Sequence, residues 1–173
     1  MKLPITIAAV IVVLAAACGE LSEAEEHNNR GFDLAEGERW QEAIAEYDRA
    51  IELDPEFAAA YNNRGIAHFE LGNVEQAIAD HSKALELDPD YALAYYNRGY
   101  VRLQEGDLER ALSDLDQAIE LKPDFAAAYA TRGFAHREAG NTGRAIADLG
   151  KAIELDSGLE EELHPALDNL KNQ

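Results

Sequence analysis

The stretch AAAYNNRGIAHFELGNVEQAIADHSKALELDPDY, residues 58–91, decides the fold. Its first half is a run of helix-forming residues around one glycine, Gly65. Gly72-Asn73 is a turn and helix-stop signal. A second run follows, with apolar or small residues at Val74, Ala77, Ile78, His81, Ala84, Leu85 and Leu87. Asp88-Pro89 ends it, because proline disfavours a helical residue before it. The stretch therefore reads helix–turn–helix.

The same reading applies upstream and downstream. Gly31, Gly65, Gly99 and Gly133 stand 34 residues apart, as do Pro55, Pro89 and Pro123. Ala43, Ala77, Ala111 and Ala145 keep the period, and so do Ala50, Ala84, Ala118 and Ala152. The other turns fall at Gly37, Gly106-Asp107 and Gly140-Asn141. Self-similarity at such a period means stacked supersecondary units, each burying its apolar face against its neighbours.

With an aromatic, a small residue four places on, two alanines in the second helix and a closing proline, these units resemble the tetratricopeptide repeat. Four copies span 24–57, 58–91, 92–125 and 126–159. The resemblance implies an all-α, right-handed α-solenoid. The first unit departs from the pattern with His27 in place of Tyr61, Tyr95 and Tyr129, and with a turn glycine one residue early. Ser157 replaces the fourth proline, so the array ends there. In the tail, residues 160–173, Leu163, Leu167 and Leu170 continue a helical stripe from Leu159. This segment reads as a capping helix, kinked or restarted at Pro165.

The repeated glycines lie mid-helix, where glycine costs about 1 kcal/mol relative to alanine. Close helix crossing is the expected reason, with alanines such as Ala77 and Ala84 facing them. An arginine precedes each glycine: Arg30, Arg64, Arg98 and Arg132, where the general repeat has leucine. A partly buried guanidinium needs a partner. The second helices offer an acid at one fixed place, Glu46, Asp80, Asp114 and Asp148, so an arginine–carboxylate ladder within or between units is expected.

In the fold resembled, the first helices line a concave groove. Helical spacing then puts Asn29, Asn63, Asn97 and Thr131 in one row and Phe32, Ile66, Tyr100 and Phe134 in the next. Glu36, Glu70, Gln104 and Glu138 form a rim. Amides can donate to and accept from peptide backbone, and aromatic rows hold apolar side chains. This suits an extended peptide or a partner helix. The asparagines could equally tie neighbouring units together. Family members that clamp a terminal carboxylate use groove lysines and arginines, whereas Asn28, Asn62, Tyr96 and Ala130 stand at such places here and no first helix contains lysine.

Lysine and arginine number 15 against 34 acids, a formal charge of −19, which opposes nucleic acid and anionic lipid surfaces and allows a basic protein partner. Residues 1–17, with Lys2 before the apolar run Leu3–Ala17, read as a signal peptide. The lone cysteine, Cys18, follows Ala15-Ala16-Ala17, and the segment resembles a bacterial lipoprotein signal in which that cysteine is lipidated. The usual leucine three places before it is Ala15 here. Residues 18–23 form a short tether.

The resemblance implies anchoring on the extracytoplasmic side of a bacterial membrane, and on the periplasmic face of the outer membrane in a Gram-negative host. The alternative is a soluble secreted or periplasmic protein. No catalytic cluster, metal-ligand spacing or phosphate loop is present, and no cofactor is expected. The expected role is a non-enzymatic adaptor for an envelope protein. The alternative is a protein holding a small molecule, lipid or glycan on the aromatic row.

Overall fold

The computed structural model describes residues 21–172, so the signal segment, Cys18 and the first half of the tether lie outside it. The described residues form an α-solenoid of four helix pairs and one further helix. The pairs are α1 (Glu23–Glu36) with α2 (Trp40–Leu53), α3 (Ala58–Glu70) with α4 (Val74–Leu87), α5 (Ala92–Gln104) with α6 (Leu108–Leu121), and α7 (Ala126–Glu138) with α8 (Thr142–Leu155). The last helix, α9 (Glu160–Lys171), packs on α8. Each helix packs on its pair partner and on the following pair, and successive first helices also touch.

Local chemistry sets the ends. Ser22 and Glu25 form a reciprocal capping box at the start of α1. Asp54 and Asp88, each before a proline, leave their helices in extended conformation. Asp156 exits the same way although Ser157 follows it, and there its side chain accepts from the Gly158 N–H. A short 3-10 turn, Ser157–Leu159, then leads into α9. Pro165 lies inside that one helix, so of the two expected outcomes, a kink or a restart, the restart does not occur.

The turns between paired helices put Gly72, Gly106 and Gly140 in the left-handed region, with φ of 77°, 76° and 74°. In the first unit the early glycine does not serve this purpose. Gly37 has φ −87°, and the left-handed position falls on Glu38 at φ 57°.

The repeated glycines face a place other than the expected alanines. A Cβ on Gly31 would come 2.5 Å from the Tyr47 ring, and one on Gly65 would come 2.8 Å from the His81 ring. Leu115 and Leu149 occupy the same place against Gly99 and Gly133. Both alanine rows are fully buried in the seams around this crossing.

The arginines and acids meet on another face. Arg64 donates from Nε and Nη2 to both oxygens of Asp80, at 2.8 and 2.6 Å, and from Nη1 to Asp48 of the preceding unit at 2.6 Å. Arg132 repeats this with Asp148 and Asp116. Arg98 grips Asp114 in the same way and reaches Ser82 at 3.0 Å. Each of these guanidiniums also lies over a tyrosine, Tyr61, Tyr95 or Tyr129. The hydrogen bonds they donate to Asp80 and Asp148 respectively hold Arg64 and Arg132 above the ordinary arginine pKa. Asp114, 3% exposed, accepts additionally from Arg102 at 2.7 Å. In the first unit the link is weaker: Arg30 is about half-exposed and makes one 3.2 Å bond to Glu46, which His27 also contacts.

Two stability differences follow. Asp114→Ala leaves two guanidiniums without their shared carboxylate and should cost about 3–5 kcal/mol, whereas Glu46→Ala should cost about 1 kcal/mol or less. Glu38→Gly relieves a left-handed backbone and should stabilise by about 1 kcal/mol. Urea unfolding of the three variants against wild type measures both differences; equal losses for Asp114→Ala and Glu46→Ala would remove the distinction between buried and exposed pairs.

Candidate functional site

The concave face is built by α1, α3, α5 and α7, with α9 closing its far end. The place holding Phe32, Ile66, Tyr100 and Phe134 lies one residue past the repeated glycine, so it turns away from the seam that the glycine occupies. Phe32 and Tyr100 are 52% and 38% exposed, while Ile66 and Phe134 are half-buried. Two hollows interrupt this face. The N-terminal one, about 240 Å³, lies among Phe32, Trp40, Tyr47 and Ile66, with Glu36 and Asn63 at its edge. The C-terminal one, about 460 Å³, has a floor of Tyr96, Tyr100, Leu103, Ala130, Phe134 and Leu163. Gln104, Arg137, Glu138 and Glu162 stand around it.

An aromatic run links the units across this surface. Phe69 meets Tyr100 edge-on at 5.6 Å, Tyr100 lies 6.4 Å from Tyr96, and Tyr96 lies 4.9 Å from Phe125. Such contacts hold the rings in place without covering them, so the exposed face of Tyr100 is a preformed apolar platform. Arg137 stacks over Phe134 at 4.9 Å.

The amide row behaves differently from the aromatic row. Asn63 donates to Asn28 at 3.0 Å, and Asn97 donates to Asn62 at 2.9 Å, each bond crossing from one unit to the one before. Asn29 is exposed, and Thr131, only 7% exposed, lines the larger hollow. The amide ladder stops where Tyr96 and Ala130 succeed Asn28 and Asn62, and the larger hollow opens at that point. The ladder arginines and their acids lie outside both hollows.

Several lining residues escape a reading by rows. Leu103 and Arg137 share one repeat place with Ala35 and Phe69, so nothing in composition marks that place as part of a surface. Helical spacing does offer a signal, since Leu103 lies seven residues after Tyr96 and Arg137 three after Phe134. Leu159, Glu162 and Leu163 become lining residues only because the turn into α9 folds them back over α7.

Beneath the amide ladder sits a fully buried histidine. His81 Nδ1 lies 3.2 Å from Asn62 Oδ1, and its Nε2 has no hydrogen-bond partner among the described residues. Burial, with a smaller contribution from the Arg98 charge, pushes its pKa down to about 3. His68 and His136, at one repeat place, each lie 3.9 Å from the ladder aspartate of their own unit.

Sequence profiles of the tetratricopeptide repeat match residues 31–72, 67–106, 92–125 and 126–158. No protein of curated function matches the chain. Among solved structures, MamA (residues 41 to the end) of Desulfovibrio magneticus RS-1 superposes with a TM-score of 0.76 at 24% identity, over 87% of this chain and 84% of that one, a likeness of fold. A thermophilic tetratricopeptide protein of Thermus thermophilus gives 0.72 at 25% identity, over 85% and 80%. The first such domain of Spaghetti (RPAP3), bound to the HSP90 peptide SRMEEVD, gives 0.66 at 26% identity, over 68% and 94%.

The buried histidine makes stability depend on pH. His81 stays neutral in the folded protein, while the unfolded chain binds a proton there below its ordinary pKa of 6.5. Stability is therefore lost as pH falls from 6.5 towards 3. His81→Leu, which installs the residue found at the same place in Leu115 and Leu149, removes this component. Urea unfolding of both proteins at about pH 7.5 and about pH 5 should show the variant gaining on wild type by about 2 kcal/mol at the lower pH. A pH-independent difference between them would refute the assignment.

Proposed function

Because the chain belongs to the tetratricopeptide-repeat family, we propose that it works as a non-enzymatic adaptor which captures a segment of a partner protein on the concave face of α1, α3, α5 and α7. The observation that carries this reading is the contrast between the two faces of the first helices. On one, Arg64, Arg98 and Arg132 are fully engaged with the chain's own acids. On the other, Phe32 and Tyr100 present large apolar area to solvent beside two hollows. Rigid, partly desolvated aromatic anchors around a groove are what a peptide-binding surface needs. The peptide-bound state of the Spaghetti neighbour supports capture as a mode available to this fold.

The adaptor would act in the bacterial cell envelope, tethered through a lipid on Cys18. Five residues, Gly19 to Glu23, then separate the anchor from the body of α1. Extended, they reach under ~20 Å, which holds the repeats close to the bilayer. A second reading rests on the larger hollow: its 460 Å³ falls within the range of small-molecule pockets, so a lipid or glycan fragment is the competing occupant.

Two experiments test these statements. Growth with a labelled fatty acid should label wild type and leave Cys18→Ser unlabelled and released from the membrane fraction; an unlabelled wild-type protein would leave the soluble alternative. In-cell crosslinking should yield one envelope protein with wild type and lose it in Phe32→Ala/Tyr100→Ala, whose side chains are exposed enough for the fold to persist. A small molecule that co-purifies with wild type, with no crosslinked partner, would favour the second reading.

A further inference from the structure

Resting on the groove reading, we infer that the occupant is an extended basic peptide, carrying a lysine or arginine about every third residue with apolar side chains between.

The acids of the chain are engaged unevenly. Asp48, Asp80, Asp114, Asp116 and Asp148 all receive guanidinium hydrogen bonds from within the chain. The carboxylates of Glu36, Glu138 and Glu162, beside the two hollows, and of Glu70, at the same repeat place as Glu36 and Glu138, make no hydrogen bond or ion pair with any described residue. Among the residues lining the two hollows, Glu36, Glu138 and Glu162 are the acids and Arg137 is the one cation.

Position strengthens this. Glu36, Glu70 and Glu138 are each the last residue of their helix. The carboxylate there adds to the negative end of the helix dipole, an arrangement that disfavours the free protein and that an external cation relieves. The first helix of the third unit, α5, ends in neutral Gln104, so one step of the rim makes no charge demand.

Spacing gives the pattern. Neighbouring packed helices lie about 8–10 Å apart, and an extended peptide advances about 3.3 Å per residue. About three peptide residues therefore pass each unit. Each unit offers one apolar place, in the row Phe32, Ile66, Tyr100 and Phe134, and three of the four offer one carboxylate. A peptide with one apolar and one basic side chain per three residues matches both rows at once. An acidic segment such as SRMEEVD, the ligand of the Spaghetti neighbour, would instead meet like charge along the rim.

The test uses the full chain and fluorescein-labelled peptides, the repeated ones about twelve residues long, followed by anisotropy. The probes are repeated Lys-Phe-Gly, repeated Lys-Ser-Gly and SRMEEVD. Lys-Phe-Gly should bind, weakening as salt rises, and the other two should bind at least about tenfold more weakly. Glu36→Lys/Glu70→Lys/Glu138→Lys should weaken Lys-Phe-Gly at least about tenfold while melting no lower than wild type, since each lysine then sits at a helix C-terminus.

Equal binding of Lys-Ser-Gly would mean diffuse attraction to the acidic surface and would overturn the inference, as would tight binding of SRMEEVD. If the rim variant binds like wild type while Phe32→Ala/Tyr100→Ala does not bind, the basic-peptide inference fails and the groove stands. If both variants bind like wild type, both readings fail.

Discussion

In every unit the two helices approach each other more closely than any side chain on the first helix would permit. At that crossing Gly31, Gly65, Gly99 and Gly133 accept Tyr47, His81, Leu115 and Leu149 directly against backbone. The alanine rows beside the crossing are fully buried, so at the glycine place itself the first helix has no room for a side chain. The arginines and the aromatic row of the first helix lie on its other faces. One carries the guanidiniums, and another carries the aromatic groove. The glycine costs each helix about 1 kcal/mol of propensity, and the tight packing around it offsets that loss.

The guanidiniums then order the units. Arg64, Arg98 and Arg132 each reach sixteen residues forward, to the aspartate of their own second helix, and sixteen residues back, to Asp48, Ser82 or Asp116 of the unit before. A planar fork that must satisfy both directions fixes the rotation of one unit on the next. A leucine at the same place would supply burial without this directional demand. The amide ladder adds a second inter-unit link, from Asn63 to Asn28 and Asn97 to Asn62, nearer the groove. The platform formed by Tyr96, Tyr100 and Phe134 therefore stands on units whose mutual orientation is set from two sides.

Much of this is readable from the residues in order, because a period of 34 makes equivalent places visible wherever they keep one residue type. The glycines, the arginines and the closing prolines are such places. The crossing partner of the glycine is not, since tyrosine, histidine and leucine share that role and present no self-similarity. The back-reaching bonds to Asp48, Ser82 and Asp116 are hidden similarly, by one serine among the aspartates. The amide ladder joins residues 35 apart, linking one row to another, so the rows allow Asn63 and Asn97 to tie neighbouring units together without naming Asn28 and Asn62 as their partners. The wall that α9 adds to the larger hollow depends on the turn at Ser157–Leu159, where the repeat has already lapsed.

The symmetry of those sixteen-residue reaches bears on how such a chain lengthens or shortens. Excising residues 92–125 joins Tyr91 to Ala126, and Ser82 then stands in the register that Asp116 held before Arg132. The new junction reproduces one already present between the second and third units, with a hydroxyl in place of a carboxylate. Insertion of a copied unit likewise creates only junctions of kinds the array already contains. Gene duplication or loss in whole modules can therefore change the length of the groove without inventing a new interface, whereas an indel within a helix that is not a multiple of 34 turns the bridging side chains beyond it off their shared face.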